Sequence, residues 1–188
     1  LHKEYRRQRQ MCIRDRNSFN MNGINVTITD MMNCRDRRVS IQNELISKYD
    51  KPVLSFCMNI PGPVKTNELI RKAFDSGKAE LLKALSAHNI TILHTEEFHE
   101  PSGDELIMAL DAPAEDIKTL ATEIEESHPL GRLFDMDVIG TDGMKLSRGT
   151  YRKCIICGCQ AQECARSRKH SVEELQAKIE ELLNQFSI

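Results

Sequence analysis

From Val53 to Ile139 the spacing of apolar residues switches repeatedly between two and about 3.6, and that succession limits the chain to one class of fold. Val53–Ile60 alternates, with Leu54, Phe56, Met58 and Ile60 on one side and Val53, Ser55, Cys57 and Asn59 on the other, as in a half-buried strand. Pro61-Gly62-Pro63-Val64-Lys65 is a loop, since each proline restricts itself and its predecessor. Thr66 or Asn67 caps a helix carrying Leu69, Ile70, Ala73 and Phe74; it breaks near Asp75-Ser76-Gly77 and resumes through Leu81, Leu82 and Leu85. Ile90–Phe98 and Glu105–Leu110 are strands joined by the turn Pro101-Ser102-Gly103-Asp104. Asp111 caps a helix with Pro113 in its early turn and Ile117, Leu120 and Ile124 as its stripe. Arg132–Ile139 is a last strand, ended by Thr141-Asp142-Gly143 and paired with Met144–Leu146. The order β-α-β-β-α-β predicts an α+β fold with the split pattern of a ferredoxin-like sandwich.

Two helices flank that core. Thr29 or Asp30 caps the first, which runs to about Tyr49 with Met32, Val39, Leu45, Ile46 and Tyr49 as its apolar side. Ser171-Val172-Glu173-Glu174 is a capping box that starts the second, followed by Leu175, Ile179, Leu182 and Leu183 at helical spacing. No stretch approaches the length of apolar sequence that a membrane span requires. Residues 1–16 are Arg-dense and without periodicity, and are read as a non-native, disordered leader, with a nucleic-acid-binding tail as the other reading. Residues 17–188 are read as a single domain, with neither a nucleic acid nor a membrane as partner. With no apolar core of a secretory signal near the N-terminus, a cytoplasmic setting is expected.

The formal charge of −2 hides a lopsided distribution. Residues 96–142 carry 14 acidic and two basic residues, whereas 145–170 carry seven basic and one acidic. An acidic segment therefore hands over to a basic one around residue 143.

The chemistry-bearing residues lie on either side of that point. In a strand, Asp135 and Asp137 project to one face while Phe134, Met136 and Val138 pack on the other. Two carboxylates that close repel unless a cation sits between them, and Mg²⁺ takes one or two carboxylates together with phosphate oxygens. The basic segment interleaves four of the seven cysteines, at 154, 157, 159 and 164. The reading is reduced, partly buried thiols. The alternative is a Zn²⁺ held by Cys154, Cys157, Cys164 and His170, although two well-separated Cys-x2-Cys pairs are missing. Arg35-Asp36-Arg37-Arg38 is either a solvated face or a phosphate-facing patch. His128 is a candidate for proton transfer, whereas His88, His94 and His99 are assigned core or surface roles.

These blocks, taken in order, resemble a known family. Arg35-Asp36-Arg37-Arg38 with Gln42, Asn59-Ile60-Pro61-Gly62-Pro63-Val64-Lys65, His128-Pro129-Leu130-Gly131-Arg132-Leu133-Phe134-Asp135-Met136-Asp137-Val138, and Arg152-Lys153-Cys154 through Cys164-Ala165-Arg166-Ser167-Arg168-Lys169-His170-Ser171 are similar to the apo-citrate lyase phosphoribosyl-dephospho-CoA transferases, or holo-citrate lyase synthases. The resemblance implies a nucleotidyltransferase. It would move a phosphoribosyl-dephospho-CoA prosthetic group from triphosphoribosyl-dephospho-CoA to a serine of the citrate lyase acyl carrier protein, releasing pyrophosphate.

For that reaction Asp135, Asp137 and Arg132 are the expected catalytic residues, the two aspartates holding Mg²⁺ against the α-phosphate and helping to activate the carrier serine. Arg132 and some of Lys65, Arg37, Arg38, Arg152, Arg166 and Arg168 bind the triphosphate, and Gly131 lets the backbone approach the ligand. Two rivals are a zinc-stabilised adaptor that docks an acidic carrier without modifying it, and the same transfer to a malonate decarboxylase carrier.

Overall fold

The computed structural model describes residues 22–186, so the leader assigned to residues 1–16 lies outside the described residues. The elements are α1 (Ile28–Tyr49), β1 (Val53–Met58), α2 (Glu68–Ala87), β2 (Thr91–Glu100), β3 (Gly103–Asp111), α3 (Ala114–Ser127), a 3-10 turn (Gly131–Leu133), β4 (Phe134–Ile139), α4 (Ala161–Arg166) and α5 (Val172–Phe186). The four strands form one antiparallel sheet in the order β2-β3-β1-β4. Each β-α-β unit is thus split by a strand of the other, the ferredoxin-like arrangement that the order of elements predicts.

One face of the sheet carries the main core. Leu54 and Phe56 of β1, Leu106, Met108 and Leu110 of β3, and Phe134, Met136 and Val138 of β4 pack against α2, α3 and α5. Phe56 stacks on Phe74, with centroids 4.9 Å apart, and meets the edge of Phe134 at 5.3 Å. Helix α2 is unbroken at Gly77, contrary to the break expected there. A Cβ at 77 would stand 2.7 Å from Phe56 Cζ and 2.8 Å from Phe134 Cζ, so this glycine lets the helix press onto the aromatic cluster.

Helix α1 covers the opposite face, where Ile41 and Leu45 pack on Val53, Ile107 and Ala109. Strand β1 is therefore buried on both faces, not half-buried: Val53 and Ser55 are as inaccessible as Leu54 and Phe56. The buried stripe of α1 is Cys34, Ile41 and Leu45, and the expected Met32 and Val39 are exposed. Its cap is Thr27, whose hydroxyl accepts from the Asp30 amide while the Asp30 carboxylate accepts from the Thr27 amide. The start of α3 differs in the same way. Its N-cap is Pro113 without a side-chain bond, while Asp111 ends β3 and pairs with Lys51 at 2.7 Å. Asn67 does cap α2, and Ser171 with Glu174 forms the box at α5.

Candidate active site

Strand β4 is an edge strand, and how its free edge is satisfied defines the site. The Lys118 ammonium donates to the Met136 carbonyl at 3.0 Å, and the Glu125 carboxylate accepts from the Met136 amide at 2.7 Å. Both side chains come from α3, seven residues apart and so two turns along one side of the helix. They occupy positions where another strand would pair. Burial pushes the Glu125 carboxyl above the ordinary value, against the pull of Arg152, the Met136 amide, Arg148 and Lys118. Burial likewise lowers the Lys118 ammonium.

The basic segment closes over this edge. Arg152 Nη2 donates to Glu125 Oε1 at 2.6 Å and to the Phe134 carbonyl, and Nη1 reaches Asp135 at 3.5 Å. Arg148 lies 3.2 Å from the other oxygen of Glu125. Lys145 holds Asp137 at 2.6 Å. An isolated bridge between Ile139 and Lys145, with the Leu146 amide on the Val138 carbonyl, fixes this return, as the pairing of Met144–Leu146 predicts.

Asp135 and Asp137 do share one face of β4, with Phe134, Met136 and Val138 fully buried on the other. Helix α1 packs on β1, β2 and β3, so its cover stops short of this pair. A cavity of about 570 Å³ opens here, lined by Asp135, Asp137, Glu125 and Lys118 together with residues 145–152 and 160–162.

A second cavity of about 680 Å³ adjoins it at Ala161. It is walled by Leu133, Ile155, Leu175 and Ile179, with Arg132, Arg168 and His170 as its basic groups. Arg132 lies in the 3-10 turn and not in the expected strand, which starts at Phe134. Its guanidinium makes no ion pair or side-chain hydrogen bond among the described residues. Burial, with repulsion from Arg152 and Arg148, lowers its hold on the proton. What Gly131 supplies is room for packing: a Cβ there would collide with the Glu125 carbonyl and lie 2.9 Å from that of Ile124.

The other basic residues expected at a phosphate are dispersed. Arg37 and Arg38 are neither a solvated face nor free cations. Arg37 donates to Glu100 at 2.5 Å and to Glu105 at 3.1 Å, and lies 4.4 Å over the Phe98 ring. Arg38 Nε donates to the buried Glu105 at 2.5 Å. Arg38 nevertheless stands on the same side of the sheet as the aspartates, because Cys57 is the neighbour of both Glu105 and Asp135 across the strands. Lys65 donates to the Ile60 carbonyl at 2.7 Å, and burial, with Arg35 nearby, lowers its ammonium. Arg166 is exposed at the end of α4. His128 is half-buried at the margin of the core: its Nδ1 accepts from the Leu130 amide at 3.1 Å, Nε2 meets Ser76 Oγ at 3.1 Å, and the ring packs against Phe134 and Phe186.

Sequence reasoning missed Glu125, Lys118, Lys145 and Arg148 as individuals. The available signal was Lys118 and Glu125 flanking the Ile117, Leu120, Ile124 stripe, where a helix buries part of its margin.

Residues 26–186 match the family model described as apo-citrate lyase phosphoribosyl-dephospho-CoA transferase. A protein of that name from Citrobacter koseri is 35% identical over 163 residues, covering 85% of this chain and 89% of its own length. Proteins of the same name from Escherichia coli O157:H7 and Shigella boydii serotype 18 match at the same identity and coverage. Since the family model extends from α1 to α5 and these relatives cover most of the chain, the chain belongs to the apo-citrate lyase phosphoribosyl-dephospho-CoA transferase family.

Proposed function

We propose that this chain, as a single unit over residues 17–188, transfers a phosphoribosyl-dephospho-CoA group from triphosphoribosyl-dephospho-CoA to a serine of the citrate lyase acyl carrier subunit. The serine oxygen forms a bond to the α-phosphorus, the bond from that phosphorus to the bridging oxygen breaks, and pyrophosphate leaves. Family membership supports the group and the acceptor. The observation that carries the siting is one cavity whose lining brings together Asp135, Asp137, Lys145, Arg148 and Arg152. A polyphosphate and a cation need such opposed charges.

The donor set fits Mg²⁺. Two half-exposed carboxylates share one strand face toward the cavity, leaving other coordination positions to phosphate oxygens and water. Bound there, Mg²⁺ would neutralise charge on the triphosphate and polarise the reacting phosphoryl group. Lys145, now paired with Asp137, would turn to the phosphate oxygens, Arg152 would stay on Glu125 and offer them only its Nη1 edge beside Asp135, and the aspartates would help activate the carrier serine. Arg132 and Arg168 would bind the substrate from the adjoining cavity, whose apolar wall suits the dephospho-CoA arm. Arg37, Arg38 and Lys65 have protein partners and would contribute less directly. Among the described residues no helix is long and apolar enough to cross a membrane, and we place the reaction in the cytoplasm.

The deciding experiment mixes apo acyl carrier subunit, triphosphoribosyl-dephospho-CoA, Mg²⁺ and this protein, and reads the mass of the carrier. A gain equal to one phosphoribosyl-dephospho-CoA is expected. Carrier binding without modification would point instead to the adaptor. Competing apo carriers from citrate lyase and malonate decarboxylase in one tube would fix the acceptor, with the citrate lyase carrier expected to be labelled first.

A further inference from the structure

The segment between β4 and α5 has little of its own to hold it together. Over residues 151–171 its regular structure is the six-residue α4 and the bridge Lys153–Gln160, and its buried positions are Cys154 and Cys164. A piece that small cannot build a core and generally needs a staple.

Cys154, Cys157, Cys164 and His170 supply the parts of one. Each turns a ligand atom toward a common point, and the four atoms lie within 4.8 Å of one another. A tetrahedral Zn²⁺ with bonds of about 2.0–2.3 Å spaces its ligand atoms about 3.3–3.8 Å apart. The sulfurs of Cys157 and Cys164 already stand at 3.3 Å.

The backbone brings the groups together from two short loops. The first is a tight turn. The Gly158 amide donates to the Cys154 carbonyl at 3.0 Å, the Cys154 amide donates to the Cys159 carbonyl at 2.6 Å, and Gly158 takes φ 71°. In the second, Cys164 sits on α4. Arg168 takes a left-handed φ of 48° and the Lys169 amide donates to the Cys164 carbonyl at 3.1 Å, which returns the chain so that His170 faces the thiols.

His170 supplies the independent observation. Its Nε2 is buried and has no hydrogen-bond partner among the described residues. A buried, unpaired ring nitrogen is costly, and a metal bond removes that cost. Cys159 stands apart from the set: it is exposed, with the Lys169 ammonium 3.9 Å away.

We propose that Cys154, Cys157, Cys164 and His170 bind one structural Zn²⁺, with all four positions filled by protein. Binding displaces the thiol protons to solvent and leaves no open coordination position for a substrate. The metal would pin the basic segment at both ends of its useful part. Arg152, two residues before the first ligand, reaches Glu125 and Asp135, and Arg168, two before the last, lines the cavity that Cys154, Cys164 and His170 also wall. Zinc content and the metal's spectrum are independent of whether the chain transfers the prosthetic group.

Elemental analysis of the full chain, purified without a metal-affinity step or chelator, is expected to give about one zinc per chain. Cys157→Ser should bring that below about a tenth, while Cys159→Ser leaves it unchanged. Should Cys157→Ser fail to fold, the wild-type chain decides. Chelator treatment should lower its melting temperature, and Zn²⁺ but not Mg²⁺ should restore it. Co²⁺ added to the stripped protein should give tetrahedral d–d bands with thiolate charge transfer. A metal-free wild type with no tetrahedral Co²⁺ spectrum would overturn the proposal. So would a Cys157–Cys164 disulfide in protein isolated under reducing conditions, or equal zinc loss in the Cys159 and Cys157 variants.

Discussion

Arg152 and Glu125 are 27 positions apart in the chain and 2.6 Å apart in space, and their contact locks the basic segment onto the edge of the sheet. The Glu125 carboxylate is almost wholly buried and has Arg148 on its other oxygen, the Met136 amide as a further donor, and Asp135 one residue away along β4. The contact therefore links the interior of the fold to the carboxylate pair that faces the cavity.

Removing both partners should cost less than the two single losses added together. Arg152→Met leaves a buried carboxylate short of its main cation and should destabilise the chain by about 3–5 kcal/mol. Glu125→Gln combined with Arg152→Met should lose less than the sum of the single changes, as read from urea midpoints in a double-mutant cycle. Equal additivity would remove the pair from the account of the site.

Asp135→Asn and Asp137→Asn separate chemistry from folding. Both side chains are half-exposed, so each variant should keep its stability to within about 1 kcal/mol. Each should slow carrier modification by at least about a hundredfold at saturating Mg²⁺. Wild-type transfer rates in folded variants would take the aspartates out of the mechanism.

Two glycines should resist a change that ordinarily helps. Replacing glycine with alanine in a helix gains about 1 kcal/mol from propensity. Gly77→Ala should instead lose about 1–3 kcal/mol, since its methyl meets the rings of Phe56 and Phe134. Gly131→Ala should lose at least as much, because what it meets is backbone carbonyl oxygen that cannot swing away. Thermal melts of both variants check the sign.

His128 should make the fold acid-sensitive. Burial lowers its folded-state pKa, with Glu80 pulling weakly the other way, and its Nδ1 already accepts from the Leu130 amide. The neutral ring is therefore the one the fold prefers. Its stabilising share is present above the unfolded value of about 6.5 and is lost as the pH falls through the lowered folded value. Denaturation midpoints of the wild type should fall between pH 7.5 and pH 5 by more than those of His128→Gln. Identical pH profiles would refute this.

The split β-α-β pattern, the exposed face shared by Asp135 and Asp137, and the caps at Asn67 and Ser171 were all legible in the sequence by itself. Each depends on local stereochemistry: the two-residue period of a strand, the 3.6-residue period of a helix, and a short side chain bonding a nearby amide. What tertiary structure decided depends on groups distant in sequence. Arg37 and Arg38 look like free cations in the chain, but Glu100 and Glu105 arrive beside them only when β2 and β3 pair beneath α1. Gly77 looks like a helix breaker until the rings of Phe56 and Phe134 fill the space its missing side chain leaves. Glu125 looks like one acid among many in residues 96–142, yet it becomes the anchor of the basic segment because β4 is an edge strand whose backbone needs partners. Three cysteines and a histidine spread over 17 residues become one cluster because a tight turn at Gly158 and a left-handed residue at Arg168 fold two loops onto the same point. The sequence held the charge reversal near residue 143; folding brought residues from both sides of it into the lining of one cavity.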